Sequence, residues 1–595
     1  MSNKKNKKQK VRVITSSSCR KIKRNDGLVM KWVQEYTFRG FLDAITSRFG
    51  KLKAYSVFGD DEEKFVSYNR LKWSAESIAT YLLEKEFSKG DRVAVIGESS
   101  PSWMMMYLGI TYIGCVAVPI LPDFSQREME QILKESGAKS VCVNVKHYKK
   151  VEDYISSNNL MVIRMEDLVH VPSVPEGFTF DNAPGISLKE HNHNHTLLNS
   201  SVPQEDDMAS LIFTSGTTGS SKGVVLTHKN LLVCADESSD TYVKVKKGFR
   251  VLSILPMSHC YEVTITHLLC LLQGAEIVFL GKPPATTILM KAFKEVRPHV
   301  ILTVPLLIEK IYKAAVVPTL RDNPKISKLY NNPLTKWIVL KTVKTKLIST
   351  MGGCIKFFGI GGAPLDNTVW DFLYSCHFPY ALGYGLTETS PLIAGCGPKH
   401  KMHKKGYIGK PVKHDDVILL DKNEEGVGEI AVKGPNVMTG YYNNEELNKE
   451  VFTSDGYFKT GDLGYIDKHG YLSIRGRVKT MILGPAGENI YPESIESIIN
   501  NMEFVQESLV VPGDGGLVAL IKVDLEAMQE KLKIGAEEVK SEAEKYLVKL
   551  KKSVNEQLST FSKISDTELQ EKDFERTPTQ KIKRFLYSRK KKEDK

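Results

Sequence analysis

Between residues 92 and 360 the chain repeatedly sets a short β-branched run after a helix-length stretch: RVAVIG (92–97), CVAVPI (115–120), SVCVNV (140–145), HVILTV (299–304) and CIKFFGI (354–360). Strands that are apolar on both faces and separated by helices fit a parallel sheet covered on both sides; a half-solvated sheet would alternate polar with apolar. From about residue 406 the texture changes to Gly-punctuated, alternating segments, EIAVKG and GYIDKHGYLSIRGR, which predict antiparallel strands with tight turns. After Arg477 comes a further mixed segment with a charged amphipathic region near 526–556. With 595 residues, 42% of them hydrophobic, there is chain enough for more than one core. The expected organisation is α/β: a basic, disordered tail over 1–35, a large domain over 36–477, a small C-terminal domain over 478–586 and a basic tail over 587–595.

The net charge of +12 sits at the ends. Residues 1–24 hold ten bases and no acid, and residues 581–595 hold eight bases and two acids, so residues 25–580 are left at −4. Basic tails on a mildly acidic body read as attachment to an anionic membrane surface, and equally as two solvated ends. Nucleic acid is not expected as a partner, and the oligomeric state is not legible. Nine cysteines without a CxxC suggest neither a disulfide framework nor a zinc ribbon, which places the chain in a reducing compartment. The expected location is cytoplasmic, on the inner face of a membrane where the tails engage it.

Residues 99–122, SSPSWMMMYLGITYIGCVAVPILP, are uncharged and long enough to span a bilayer. Their prolines, and the change at Gly114 from a helical pattern to a β-branched run, predict instead a buried helix followed by a buried strand. The alternating histidines of HNHNH (191–195) would offer imidazoles to a metal, but no cysteine or paired carboxylate accompanies them and the setting reads as a surface loop.

The strongest chemical signal is LIFTSGTTGSSKGVVLTHKNL (211–231), an apolar strand feeding a run of Thr, Ser and Gly with one lysine before a second apolar strand. Glycines let backbone amides approach closely, the hydroxyls of Thr214, Ser215, Thr217 and Thr218 add donors, and Lys222 supplies a point charge: a loop suited to phosphate. A Walker loop requires GK[ST], whereas Lys222 lies between Ser221 and Gly223.

This string resembles the phosphate-loop signature of the adenylate-forming superfamily, which joins the acyl-CoA synthetases, luciferases and peptide-synthetase adenylation domains. Six further strings are similar to family motifs and stand in family order: LPMSHCYE (255–262), GIGGAPL (359–365), GYGLTETSP (383–391), YFKTGDLGYID (457–467), GRVKTMILGPAGENIYPESIE (476–496) and RTPTQKIKR (576–584). The resemblance covers roughly residues 36 to 586. It implies helix-covered sheets and a distorted β-barrel-like subdomain in the large domain, and a mobile α+β C-terminal domain. It also implies ATP, a magnesium ion (Mg2+) and CoA as reaction partners.

By that resemblance, Thr214, Ser215, Gly216, Thr217, Thr218, Gly219 and Lys222 hold the β- and γ-phosphates. Gly362 and Ala363 flank adenine, Tyr384 stacks on it, and Asp462 with Arg477 takes the ribose. Thr387 meets the α-phosphate, Glu388 with Thr214 holds Mg2+, and Lys581 reaches in to neutralise charge as carboxylate and phosphate meet. Lys479 is the implied hinge, and Gly484 and Gly487 line the path of the CoA thiol. Two positions depart from the family pattern, Ser221 for Pro and Gln580 for Gly, and neither removes a reacting group.

The form of LPMSHCYE, with His259 three residues before Glu262, is similar to that of the long-chain, bacterial-type fatty acyl-CoA synthetases; His259 is the expected substrate contact. The apolar segment 263–274 serves as acyl-tunnel lining or as core. The expected reaction is ATP-dependent ligation of a long-chain fatty acid to CoA through an acyl-adenylate. The alternatives are an acyl-adenylate ligase that loads a carrier protein and a weakly active membrane-surface homologue.

Overall fold

A computed structural model describes residues 22–23, 29–30, 33, 35–61, 63–175, 177–215, 221–483, 489–513, 516–577 and 582–587. Two nine-stranded sheets dominate it. In the first, Met161–Arg164, Ser140–Val143, Arg92–Ile96, Val116–Ile120 and Met208–Ser215 run parallel, and antiparallel strands Ser221–Thr227 and Gly440–Tyr441 extend one edge. In the second, Tyr380–Gly385, Phe357–Ile360, Val300–Thr303, Arg250–Ser253, Glu276–Phe279 and Lys53–Val57 run parallel. All five β-branched runs singled out in the sequence are parallel strands of these sheets.

Alternate residues of each strand serve different cores. Val93 and Val95 point into one large cluster shared with Val251, Ile277 and Val300 of the second sheet, so this cluster fills the space between the sheets. Ala94 and Ile96 face the outer core of the first sheet, and Ile301, Phe358 and Ile360 the outer core of the second. Helices Phe38–Phe49, Tyr68–Glu84, Pro101–Tyr112 and His228–Thr241 contribute to the shared layer. That placement explains the uncharged stretch. Its helix, Pro101–Tyr112, is buried from Trp103 onward because it lies between two sheets, and Val116–Ile120 then enters the first sheet. The Trp103 amide donates to Ser100 Oγ, and Pro101 occupies the first turn, where a missing N–H costs no bond. Pro119 is tolerated in this central strand because the ladder to Met208–Ser215 is formed only at Ala117. Among the described residues no helix is long and apolar enough to cross a membrane.

The Gly-punctuated segment forms a four-stranded antiparallel sheet, Asp416–Leu420, Gly428–Lys433, Phe458–Ile466 and Leu472–Arg477. A single bridge from Gly409 to Leu472 links it toward the second sheet. Beyond Arg477, strands Val505–Gly513, Gly516–Val523 and Ile564–Leu569 make a small mixed sheet with its own core, to which helices Pro492–Ile499 and Ala536–Asn555 contribute. The amphipathic region near 526–556 is two helices, Leu525–Leu532 and Ala536–Asn555, divided where Lys533 turns left-handed. Contacts between this unit and the rest include Asn367 Nδ2 to Ser497 Oγ at 3.4 Å, Thr368 Oγ1 to Asn501 Oδ1 at 3.0 Å and Arg321 with Glu503 at 3.8 Å, and Tyr491 packs beside Gly476, where a Cβ would lie 3.1 Å from its ring. At the other end, Ile22–Lys23 pairs with Val29–Met30, and the shared core begins at Val33 and Tyr36. Residues 1–21 and 588–595, which hold most of the tail charge, lie outside the described residues.

The histidines of the HNHNH string have local partners. His191 Nε2 lies 2.7 Å from Glu84 Oε2, and His193 lies 4.0 Å from the Trp73 ring with its Nε2 2.9 Å from Ser77 Oγ.

Candidate active site

Three elements bring one cluster together. Tyr384 stands near the end of Tyr380–Gly385, while Asp462 and Arg477 face each other across the ladder of Phe458–Ile466 and Leu472–Arg477. The Tyr384 hydroxyl donates to Asp462 Oδ2 at 2.9 Å, and Arg477 Nε donates to Oδ1 at 2.9 Å. Asp462 is buried and Arg477 half-exposed. Burial and the neighbouring carboxylate hold the Tyr384 phenol well above its ordinary pKa, so it remains a donor. A carboxylate is a multiple acceptor of the kind that the two hydroxyls of a sugar can address. Tethered at its hydroxyl, the Tyr384 ring has a fixed position from which to stack.

Four residues on, Glu388 sits in a turn of 3₁₀-helix, Thr387–Thr389. Its Oε1 accepts from the Tyr441 hydroxyl at 2.8 Å, and Lys222 Nζ stands 5.3 Å from the centre of the Tyr441 ring. Tyr441 thus joins the expected metal-holding carboxylate to the lysine of the phosphate loop. Thr214 pairs with Lys222 across the ladder of Met208–Ser215 and Ser221–Thr227, with Ser215 opposite Ser221. Residues 216–220, including Gly216, Thr217, Thr218 and Gly219, lie outside the described residues. The edge strand carrying Tyr441 is secured at a distance: Thr227 and Asn230 cap the helix His228–Thr241 reciprocally, and Asn230 Nδ2 donates to the carbonyls of Pro435 and Val437.

Sequence reasoning missed Tyr441. The available signal was the pair Tyr441–Tyr442 directly after Gly440, on an edge strand whose partner in the ladder, Val224, follows the phosphate loop.

Gly362 and Ala363 are exposed on the turn after Phe357–Ile360. Gly362 has φ +84°, a left-handed conformation that a side chain would strain. A Cβ on the neighbouring Gly361 would lie 3.4 Å from the Tyr261 ring, so Tyr261 packs beneath this turn.

His259 is half-buried, and its carbonyl accepts from the amides of Glu262 and Val263, heading the π-helix Glu262–Leu269. Glu262 itself is fully buried. Ser253 Oγ donates to its Oε1 at 2.6 Å and Thr266 Oγ1 to its Oε2 at 2.7 Å, while burial pushes its pKa up to about 7. His267 lies 3.8 Å from Oε1, kept neutral by burial with its pKa lowered to about 3. Every residue from Glu262 to Leu272 is buried in the layer between the sheets, so this packing favours the core reading of the segment over tunnel lining.

Lys479 is exposed, two residues beyond Arg477, and Thr480 Oγ1 donates both to the Arg477 carbonyl and to Glu493 Oε1. Gly484 and Gly487 lie outside the described residues, as does Lys581. Beside the latter, Arg576 and Ile582 form an antiparallel bridge and Arg584 reaches Glu496.

The donor set fits a hard cation. Glu388 and Thr214 offer oxygen alone, as Mg2+ prefers, and two protein ligands are the usual complement where phosphates and water supply the rest. No group of three or more His, Cys, Asp or Glu residues able to hold a metal occurs among the described residues, so phosphate oxygens are needed to complete such a site.

Residues 45–442 match the family described as AMP-binding enzyme. The chain is 28% identical over 516 residues to long chain acyl-CoA synthetase 7, peroxisomal, of Arabidopsis thaliana, covering 79% of this chain and 70% of the relative. It is 27% identical over 472 residues to a long-chain-fatty-acid–CoA ligase of Salmonella typhimurium, covering 75% and 78%. Among solved structures, ATP-bound MatB from Rhodopseudomonas palustris matches with a TM-score of 0.70 at 22% identity, over 92% of this chain and 98% of that one, a likeness of fold.

Proposed function

The chain belongs to the AMP-binding enzyme family, and from that premise we propose that it is an ATP-dependent long-chain fatty acid–CoA ligase acting through an acyl-adenylate. The observation that carries the reading is the meeting of Tyr384, Asp462 and Arg477, from two different sheets, four residues from Glu388. This arrangement has a place for adenine, a carboxylate acceptor for ribose, and oxygen ligands where phosphates would follow. The names of the relatives supply the acid and the thiol.

In the first half-reaction the fatty carboxylate attacks the α-phosphate of ATP and pyrophosphate leaves. Such transfers ask the protein for position and charge neutralisation rather than covalent chemistry. Gly362, Ala363 and Tyr384 receive adenine, and Asp462 with Arg477 receives the ribose. The loop from Thr214 to Lys222 cradles the terminal phosphates. Thr387 donates to the α-phosphate, and Glu388 with Thr214 would hold Mg2+, which would offset phosphate charge. Lys581 meets the carboxylate and the α-phosphate together. In the second half-reaction the CoA thiol attacks the acyl carbonyl and AMP leaves. For this step the small domain turns about Lys479, withdrawing Lys581 and bringing the segment with Gly484 and Gly487 to the thiol path. The exposed polar contacts between the small unit and the large one are of a kind that such a turn can break and remake. His259, beside the Gly361–Gly362 turn through its neighbour Tyr261, contacts the substrate. The basic tails hold the enzyme at an anionic membrane surface, where its substrate resides.

The test is ATP–pyrophosphate exchange and acyl-CoA formation with acids from acetate to C20. Both should rise with chain length. Acetate or an aromatic acid outperforming palmitate would overturn the assignment of substrate.

A further inference from the structure

The connection between Val300–Thr303 and Phe357–Ile360 carries a strongly unbalanced charge. Residues 324–350 contain six lysines (325, 328, 336, 341, 344 and 346) and no acid or arginine, a net +6 within a body whose overall charge is −4. These residues form two packed helices, Pro324–Asn331 and Lys336–Thr350. The second buries Val339, Leu340, Val343 and Leu347 against the outer core of the second sheet, which fixes its opposite face outward.

At the junction of the two helices, Leu329 is 46% exposed, Leu334 81%, Trp337 61% and Ile338 48%. Thr335 Oγ1 donates to the Leu329 carbonyl at 2.7 Å, drawing the connecting loop back onto the first helix, so the four apolar side chains share one corner of the molecule. Helical spacing then places Lys341 one turn from Trp337 and Ile338. None of the six lysines has an ion-pair partner among the described residues, and Lys336 stands 4.9 Å from the Tyr330 ring.

We propose that this corner is a membrane-docking surface: Leu329, Leu334, Trp337 and Ile338 enter the boundary between headgroups and acyl chains of an anionic bilayer, while the surrounding lysines engage lipid phosphates. Apolar residues ringed by lysine, with a tryptophan among them, match an interface that is oily beneath and negatively charged above. The outer hydroxyls of Thr342, Thr345 and Thr350 donate to carbonyls of their own helix, and the ammonium groups stand beside them as charged donors for phosphate. A second copy of the chain docking by the same face would set six lysines against six, and the basic tails would be repelled as well. Protein interfaces are depleted in lysine, which argues against a protein partner. The surface is distinct from the tails and does not depend on the identity of the acid activated.

The experiment uses the full chain with vesicles of phosphatidylcholine, alone or with 30% phosphatidylserine. Two variants are compared with the wild type: Leu334→Ser/Trp337→Ser/Ile338→Ser, and Lys336→Gln/Lys341→Gln/Lys344→Gln. All six positions are surface sites outside the nucleotide cluster, and ligase activity on detergent-dispersed acid reports that both variants remain folded. Each variant should partition onto the anionic vesicles at least tenfold more weakly, and the wild type should bind pure phosphatidylcholine weakly. Brominated lipid should quench wild-type fluorescence by an increment that Trp337→Phe removes. Wild-type partitioning by both variants, or quenching unaffected by Trp337→Phe, overturns the proposal. So does a wild type that ignores the vesicles but changes its sedimentation when the corner is altered, which would place a protein there instead.

Discussion

Glu262 is a carboxylate enclosed by hydroxyls and apolar walls, and its burial has a pH signature. Burial raises the folded-state pKa to about 7 from the 4.5 of a free glutamate, so the folded protein holds this proton more tightly than the unfolded chain does. The resulting stabilisation is fully present below about pH 4.5 and is lost as pH rises through about 7; the shift corresponds to roughly 3 kcal/mol. Glu262→Gln keeps the shape and cannot ionise. Between pH 5 and pH 8.5, wild-type stability should therefore fall by about 2–3 kcal/mol relative to the variant, measured by denaturant unfolding. A pH-independent difference would show that the folded protein holds this proton no more tightly than the unfolded chain does, as a solvated carboxylate would. Asp462→Asn tests the nucleotide side. Arg477 is half-exposed and can rehydrate, so stability should drop by only about 1–3 kcal/mol, while KM for ATP should rise at least tenfold from the lost sugar acceptor. An unchanged KM would remove Asp462 from the site. Tyr384, Asp462 and Arg477 were named through strings that resemble motifs of the adenylate-forming superfamily, and the structure brings their side chains together. Tyr441 was not named, since its bond to Glu388 joins residues 53 apart. The enclosure of Glu262 likewise depends on Ser253 from a neighbouring strand.

Among the elements, the strand Tyr380–Gly385 has the tightest tolerance. A Cβ on Gly385 would lie 1.7 Å from the Pro391 carbonyl oxygen and 2.7 Å from its carbon, so the return of the chain after Thr387 and Glu388 depends on a hydrogen at this position. Gly385→Ala must separate the strand from 391–393. The expected loss is about 3 kcal/mol or more of stability, with adenylation falling further than the remaining folded fraction explains, because Thr387 and Glu388 move with the turn. Thermal melting and pyrophosphate release on the same sample check both parts, and a variant that melts and turns over like the wild type would deny the close approach. Strand identity was well encoded, since a parallel strand buried on both faces writes itself as an uninterrupted apolar run. The helices Pro324–Asn331 and Lys336–Thr350 were hidden for the converse reason: apolar residues lie on both the buried and the exposed faces, which erases the periodicity that marks a surface helix.

At the scale of the whole molecule, the proposed division of labour makes Lys581 a residue of one half-reaction only. Lys581→Ala should slow adenylation by about 10²–10³, on the order of 3–4 kcal/mol, the cost of removing one preorganised charge. Supplied with synthetic acyl-adenylate and CoA, the same variant should form acyl-CoA at close to the wild-type rate. Loss of both half-reactions would mean that the domains do not alternate, and intact adenylation would take Lys581 out of the chemistry. The order of the motifs made this two-part reading accessible, whereas the small unit's contacts with the large one are side-chain pairings that no local pattern announces. Arg477, which holds Asp462, lies two residues from Lys479, and its carbonyl accepts from Thr480, whose hydroxyl also reaches Glu493 of the small unit's first helix. If the small domain turns about Lys479 as proposed, filling the proposed sugar site and setting the inter-domain angle become linked equilibria. By thermodynamic reciprocity, each orientation of the small domain must then have its own affinity for nucleotide, and AMP leaves from whichever orientation grips it less.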